Sequence, residues 1–150
     1  MTPRFAFLHH IAAFTLVTAV AIEFILLRGE RTVTRARQIL AADIALGISA
    51  LVALLVGFAR VFLFEKGGSY YFHNAAFIAK LALFVLVALL SIHPTLHFLS
   101  WRAALRQGQA PSLSDDKRRA LRMFLHLELM GVVVMLLCAA LMAKGVGSFA

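Results

Sequence analysis

The chain has 150 residues, is 62% hydrophobic and has a mean hydropathy of +0.89, well above the roughly half-apolar make-up of a soluble domain. Its net charge of +8 sits in short links between apolar runs, which marks membrane topology and excludes a nucleic-acid patch. The lone cysteine, Cys138, excludes an internal disulfide.

Four apolar runs follow one another at about Phe5–Leu27, Gln38–Phe64, Ala75–Trp101 and Met123–Ala143. Each is near or above the roughly 20 residues that cross a bilayer core. Backbone polar groups in lipid are satisfied only by helices or closed barrels, and no strict apolar–polar alternation favours a barrel. The expected fold is therefore an all-α integral membrane protein, a single domain of four transmembrane helices spanning residues 1–150. The first run starts almost at once and is too long for a signal core, so it reads as a retained helix.

The links differ in charge. The first carries Arg28, Arg31, Arg35 and Arg37, and the third carries Arg102, Arg106, Lys117, Arg118, Arg119 and Arg122, ten of the fifteen Lys and Arg residues in all. The second link is nearly neutral and contains Tyr70, Tyr71 and Phe72, rings suited to a membrane–water boundary. By the positive-inside rule, links one and three stay in the cytoplasm. Both termini and the aromatic link then lie on the outer, periplasmic side of a bacterial inner membrane crossed four times. In the third link, Ala110 to Asp116 reads as a turn and a helix cap leading into a basic surface turn.

The second run carries a row of small residues at spacing four: Ala41, Ala45, Ser49, Ala53 and Gly57. Such a row lets helix backbones approach closely. It packs either inside the bundle or, through Ala45, Ser49, Ala53 and Gly57, against a second copy of the chain. Pro94 falls within the third run, where a kink is expected.

Ionisable groups at membrane depth are costly and are functional candidates by default. Glu23, Asp43 and Glu128 fall about four or five residues from the inner run ends, roughly 6–8 Å deep at about 1.5 Å per residue, and His93 is assigned to the same inner layer. His9, His10 and Lys80 form an outer layer, with Arg60 nearer its rim. His9 and Glu23 are fourteen residues apart and share a face with Ala12, Leu16 and Ala19, whereas His10 points away. Glu128 aligns with Gly131, Met135 and Met142, and His126 points almost opposite.

These groups suggest three chemistries. Glu23, Asp43 and Glu128 form an acid cluster able to handle protons, or else pair with arginines of the basic links. His93 and His97, one turn apart, present two rings to one point, as a metal site needs, or else bond to carbonyls and lipid heads at the boundary. His9, facing inward, can serve as an axial haem ligand or bond to a neighbouring helix. Lys80, Arg60 and Tyr71 would then meet haem propionates, or Lys80 snorkels to the interface.

The segment from Arg60 to Asn74, the following Lys80 and the stretch His93-Pro94-Thr95 resemble a group of small bacterial predicted membrane proteins, over nearly the whole chain. More distantly, the chain is similar to HemJ-type protoporphyrinogen oxidases and CopD-like membrane proteins. A histidine early in the first helix is matched by His9 or His10. A lysine and later histidine of one helix are matched by Lys80 and His93, and a last-helix pattern by Arg122, Glu128 and Lys144. Leu127 and Met130 stand where that last pattern has Asn and Pro. The resemblance implies a haem b or porphyrin redox function, with His9 and His10 as axial candidates, Arg60 and Lys80 as anion partners, and Glu128 and Lys80 as catalytic groups. The residues themselves leave open a proton or ion transporter or a non-enzymatic accessory subunit in the lipid bilayer.

Overall fold

A computed structural model describes residues 3–64, 73 and 75–144. Among these the chain is helical, with no strand. Helix α1 spans Pro3–Leu26, α2 spans Val33–Ala59 and runs on into a π-helical turn at Arg60–Phe64, and α3 spans Ala75–Ser100. A short α4 at Arg102–Arg106 precedes α5 at Asp115–Ala143. The four long helices are each long and apolar enough to cross a membrane. Their many exposed large side chains, such as Phe14, Ile48, Leu89 and Leu137, suit a hydrocarbon solvent rather than water.

Two helices begin earlier than hydropathy indicates. The second apolar run starts at Gln38, but α2 starts at Val33, because the Thr32 hydroxyl accepts the Arg35 backbone N–H at 3.2 Å. The fourth run starts at Met123, but α5 starts at Asp115. Ser114 caps it by accepting the Lys117 N–H at 3.4 Å, and Asp115 and Asp116 occupy its first turn, where negative charge suits the helix dipole. The surface turn expected after that cap is thus helix. Hydropathy registers the lipid-facing length, whereas caps and dipole set where the helix begins.

Pro94 sits inside α3 without ending it. Its missing N–H leaves the Leu90 carbonyl without its usual helical donor. Helix α4 ends at Gly108, whose φ of 71° is a left-handed conformation that glycine adopts freely. The turn is closed by Gln109 N–H to the Ala104 carbonyl at 3.0 Å and Gly108 N–H to the Leu105 carbonyl at 3.2 Å, the Schellman pattern.

The helices pair as α1 with α2 and α3 with α5, joined mainly through α1 and α5, while α2 and α3 touch sparingly. Within the first pair the small-residue row is used inside the chain: Ser49 and Ala53 are buried, and a Cβ at Gly57 would lie 3.4 Å from the His9 ring.

Two apolar clusters fill the bundle. One at the basic end joins Leu27, Ile39, Phe98, Trp101, Leu121 and Leu125. The other, at mid-membrane, joins Leu16, Val20, Leu46, Val87 and Val132. Arg118 ties the basic end together. Its guanidinium donates to the Leu27 carbonyl at 3.0 Å, the Arg28 carbonyl at 2.5 Å and the Gly29 carbonyl at 3.2 Å, satisfying the orphan carbonyls that end α1. Arg37 donates to the Leu105 carbonyl at 3.2 Å, and Arg31 pairs with Asp115.

A hydrogen bond to a charged group contributes about 1.5–3 kcal/mol. Arg118→Ala is therefore expected to destabilise the protein by about 2–3 kcal/mol in detergent thermal unfolding. Arg118→Lys should recover little, since a point charge cannot span three carbonyls. An unfolding midpoint unchanged by Arg118→Ala would contradict this role.

Candidate functional site

Between the two apolar clusters lies a polar layer to which all four long helices contribute. Glu23 of α1 and Glu128 of α5 are 0% exposed, and Asp43 of α2 is 4% exposed. Helix α3 brings no charge to this layer but two hydroxyls, Ser91 and Thr95, one turn apart on a single face. Ser91 donates to Glu128 Oε2 at 3.0 Å, and Thr95 donates to Asp43 Oδ1 at 2.6 Å. The second bond crosses from one helix pair to the other.

The three acids are within electrostatic reach of one another: Glu23 feels both Asp43 and Glu128, and Glu128 feels Asp43. They do not converge on one point, and among the described residues no group of three or more His, Cys, Asp and Glu side chains could hold a metal ion. Hydrogen bonding is incomplete. Glu23 Oε1 and Oε2 and Glu128 Oε1 are buried without a protein partner.

Arginine pairing, the alternative for these acids, does not occur among the described residues. Arg118 and Arg37 are bound to backbone carbonyls, Arg31 to Asp115, and Arg28 lies 4.1 Å over the Phe24 ring. Arg102 acts on Asp43 only at a distance. The acids are thus cut off from the basic surface by the cluster around Phe98 and Leu125.

The other candidates are dispersed. His9 is half-buried and its Nδ1 lies 3.1 Å from the Ala53 carbonyl of α2, the bond to a neighbouring helix that was one of its two expected roles. His10 is exposed, and its Nδ1 lies 2.6 Å from the Ala6 carbonyl of its own helix. His93 is exposed with its ring stacked on Phe124 at 4.5 Å. His97 meets Trp101 edge-on at 5.9 Å, with Nε2 buried and unpartnered. Lys80 is half-buried in the first turns of α3, more than two turns from the acids' depth. The Arg60 side chain and the aromatic link Tyr70, Tyr71 and Phe72 lie outside the described residues.

Two of the acids lie farther along their helices than the apolar run ends implied. Asp43 is ten residues into α2 and Glu128 thirteen into α5. Ser91 and Thr95 are absent from the sequence-derived candidates. Their signal was present: two hydroxyl residues at spacing four, at the depth of the acids, on either side of His93.

A family model described as predicted membrane protein (DUF2214) matches residues 3–147. The chain belongs to the DUF2214 family. This agrees with the group of small predicted membrane proteins that the Arg60–Asn74 and His93–Thr95 segments suggested. No curated protein matches, HemJ-type and CopD-like proteins included, and no solved structure matches. For this DUF2214 protein the site itself therefore carries the functional argument.

A buried polar group left unsatisfied costs about 1–3 kcal/mol. Glu23→Met, close in volume and apolar, is expected to raise stability by about that amount in thermal unfolding. A loss of more than about 1 kcal/mol would instead make Glu23 a structural keystone.

Proposed function

We propose that this DUF2214 protein is a proton-handling protein of the bacterial inner membrane, taking up and releasing protons at the Glu23–Asp43–Glu128 layer as a small transporter or as an accessory subunit. The observation that carries the reading is the three unfilled carboxyl oxygens, held within electrostatic reach of other acids and bonded to no described arginine. A carboxyl paired with arginine is locked in its charged form, whereas one facing other acids exchanges protons readily. The Ser91 and Thr95 hydroxyls extend the layer across α3 and can pass a proton along it. Both termini on the periplasmic side is the orientation supported by ten basic residues at the opposite end.

In proteoliposomes given an acid pulse, the wild-type protein is expected to admit protons faster than protein-free vesicles. The Glu23→Gln, Glu128→Gln double variant should return the rate to background, while His10→Ala should not. Flux that survives the double variant would sink the proposal.

The haem reading gains little from the geometry. The His9 ring is seated between α1 and α2, against the Ala53 carbonyl and Gly57, and no curated protein with haem chemistry matches the chain. The purified protein is expected to show no Soret absorbance, with or without added haem. A Soret band that disappears in His9→Ala would restore haem to the site.

A further inference from the structure

The sparse contact between α2 and α3 leaves a groove of about 350 Å³ on the flank of the bundle, within the range of small-molecule sites. Its walls are apolar, from Ala50 on α2 to Phe84, Ala88 and Ile92 on α3, with Met135 of α5 behind. The neighbouring Ile48, Leu89 and Leu96 are exposed, so the groove opens sideways toward acyl chains, not toward water. Gly47 lines it, and a Cβ there would meet nothing within 4 Å, so the space continues up to the α2 backbone.

Ser91 and Thr95 are the polar residues of this groove. Their O–H groups are already committed, donating to Glu128 and Asp43 behind the wall. A hydroxyl has one donor and two acceptor lone pairs. What each still offers the groove is therefore acceptance only.

We infer that the α2–α3 groove binds a lipid-soluble, single-chain molecule whose head is a hydroxyl, an alcohol or phenol that donates its one proton to Ser91 Oγ or Thr95 Oγ1 while its tail lies along Ala50, Phe84 and Ala88. A head with acceptors alone, such as an ether or ester, finds no donor there. The almost wholly apolar walls give no seat for a full charge. The inference goes beyond proton handling: it rests on groove shape and on hydroxyl direction, with Asp43 and Glu128 as the acceptors of the two hydroxyls.

The test is ¹³C-methyl-methionine NMR of the full chain in lipid nanodiscs, titrated with 1-dodecanol or with dodecyl methyl ether. Met135 reports the groove, and exposed Met123 of α5 reports bulk lipid. The expected result is a saturable Met135 shift with the alcohol, at least tenfold weaker with the ether, and no movement of Met123. Thr95→Val should weaken the response, and Gly47→Leu should remove it while leaving the unfolding midpoint in place. Equal responses to alcohol and ether would overturn the inference, as would Met123 moving in parallel. So would a Met135 signal that follows protein concentration rather than alcohol, since a second copy of the chain would then cover the groove. Proton flux in proteoliposomes is a separate readout, so either proposal can fail without the other.

Discussion

Hydrocarbon cannot hydrogen-bond, and every polar atom these helices carry into it must be answered by another protein atom or left in deficit. That constraint arranges the middle of the protein. Three acids on three helices turn inward because no other direction is less costly, and the fourth helix answers two of them with hydroxyls. The layer is answered only in part. Neither oxygen of Glu23 has a protein partner at 0% exposure, so of the two fully buried acids it is the less satisfied. A native fold tolerates few such groups, and each calls for an explanation beyond packing.

The basic end works by the opposite logic. There the arginines lie toward water: two of them, Arg118 and Arg37, clamp backbone carbonyls, and Arg31 pairs with a surface acid. Arg118 closes the end of α1, Arg37 binds the carbonyl at the end of α4, and Arg31 holds the start of α5. Beneath them, Phe98, Trp101 and Leu125 form an apolar seal. The seal keeps the arginines from forming ion pairs with the acids, although the two sets lie only about 9 Å apart along α2 and α5, six residues at about 1.5 Å each, and Arg102 still acts on Asp43 at a distance. Separation of charge over so short a distance is the electrical character of this bundle. It also explains why α2 and α3 can stay apart on one flank: the clamps and the seal hold the four helices at the basic end, and the Thr95–Asp43 bond holds them at the layer.

Much of this was legible in the residues. Helix phase on α1 placed Ala12, Leu16, Ala19 and Glu23 on one face, and all four are buried. Phase on α5 separated buried Glu128 from exposed His126. The same reasoning preferred His9 to His10. What phase could not supply was the neighbour. His9 points inward, yet inward means the Ala53 carbonyl, because Ala53 and Gly57 leave α2 thin enough for a ring to lie against its backbone. Arginine pairing with the acids was an open alternative by depth alone, and the intervening aromatic seal, assembled from several helices and the links between them, is invisible along any one of them.

The amino-acid order by itself determined that there are four membrane-crossing helices, which ends are basic, and which acids face away from lipid. Those properties are local: hydropathy, charge and a 3.6-residue period are each read from one stretch of chain. The tertiary structure alone decided that Ser91 and Thr95 serve the acids, that the arginines do not, and that α2 and α3 part to leave a groove. Each of these depends on how helices distant in sequence are paired and turned about their axes, and pairing is set by the sum of many small contacts rather than by any motif.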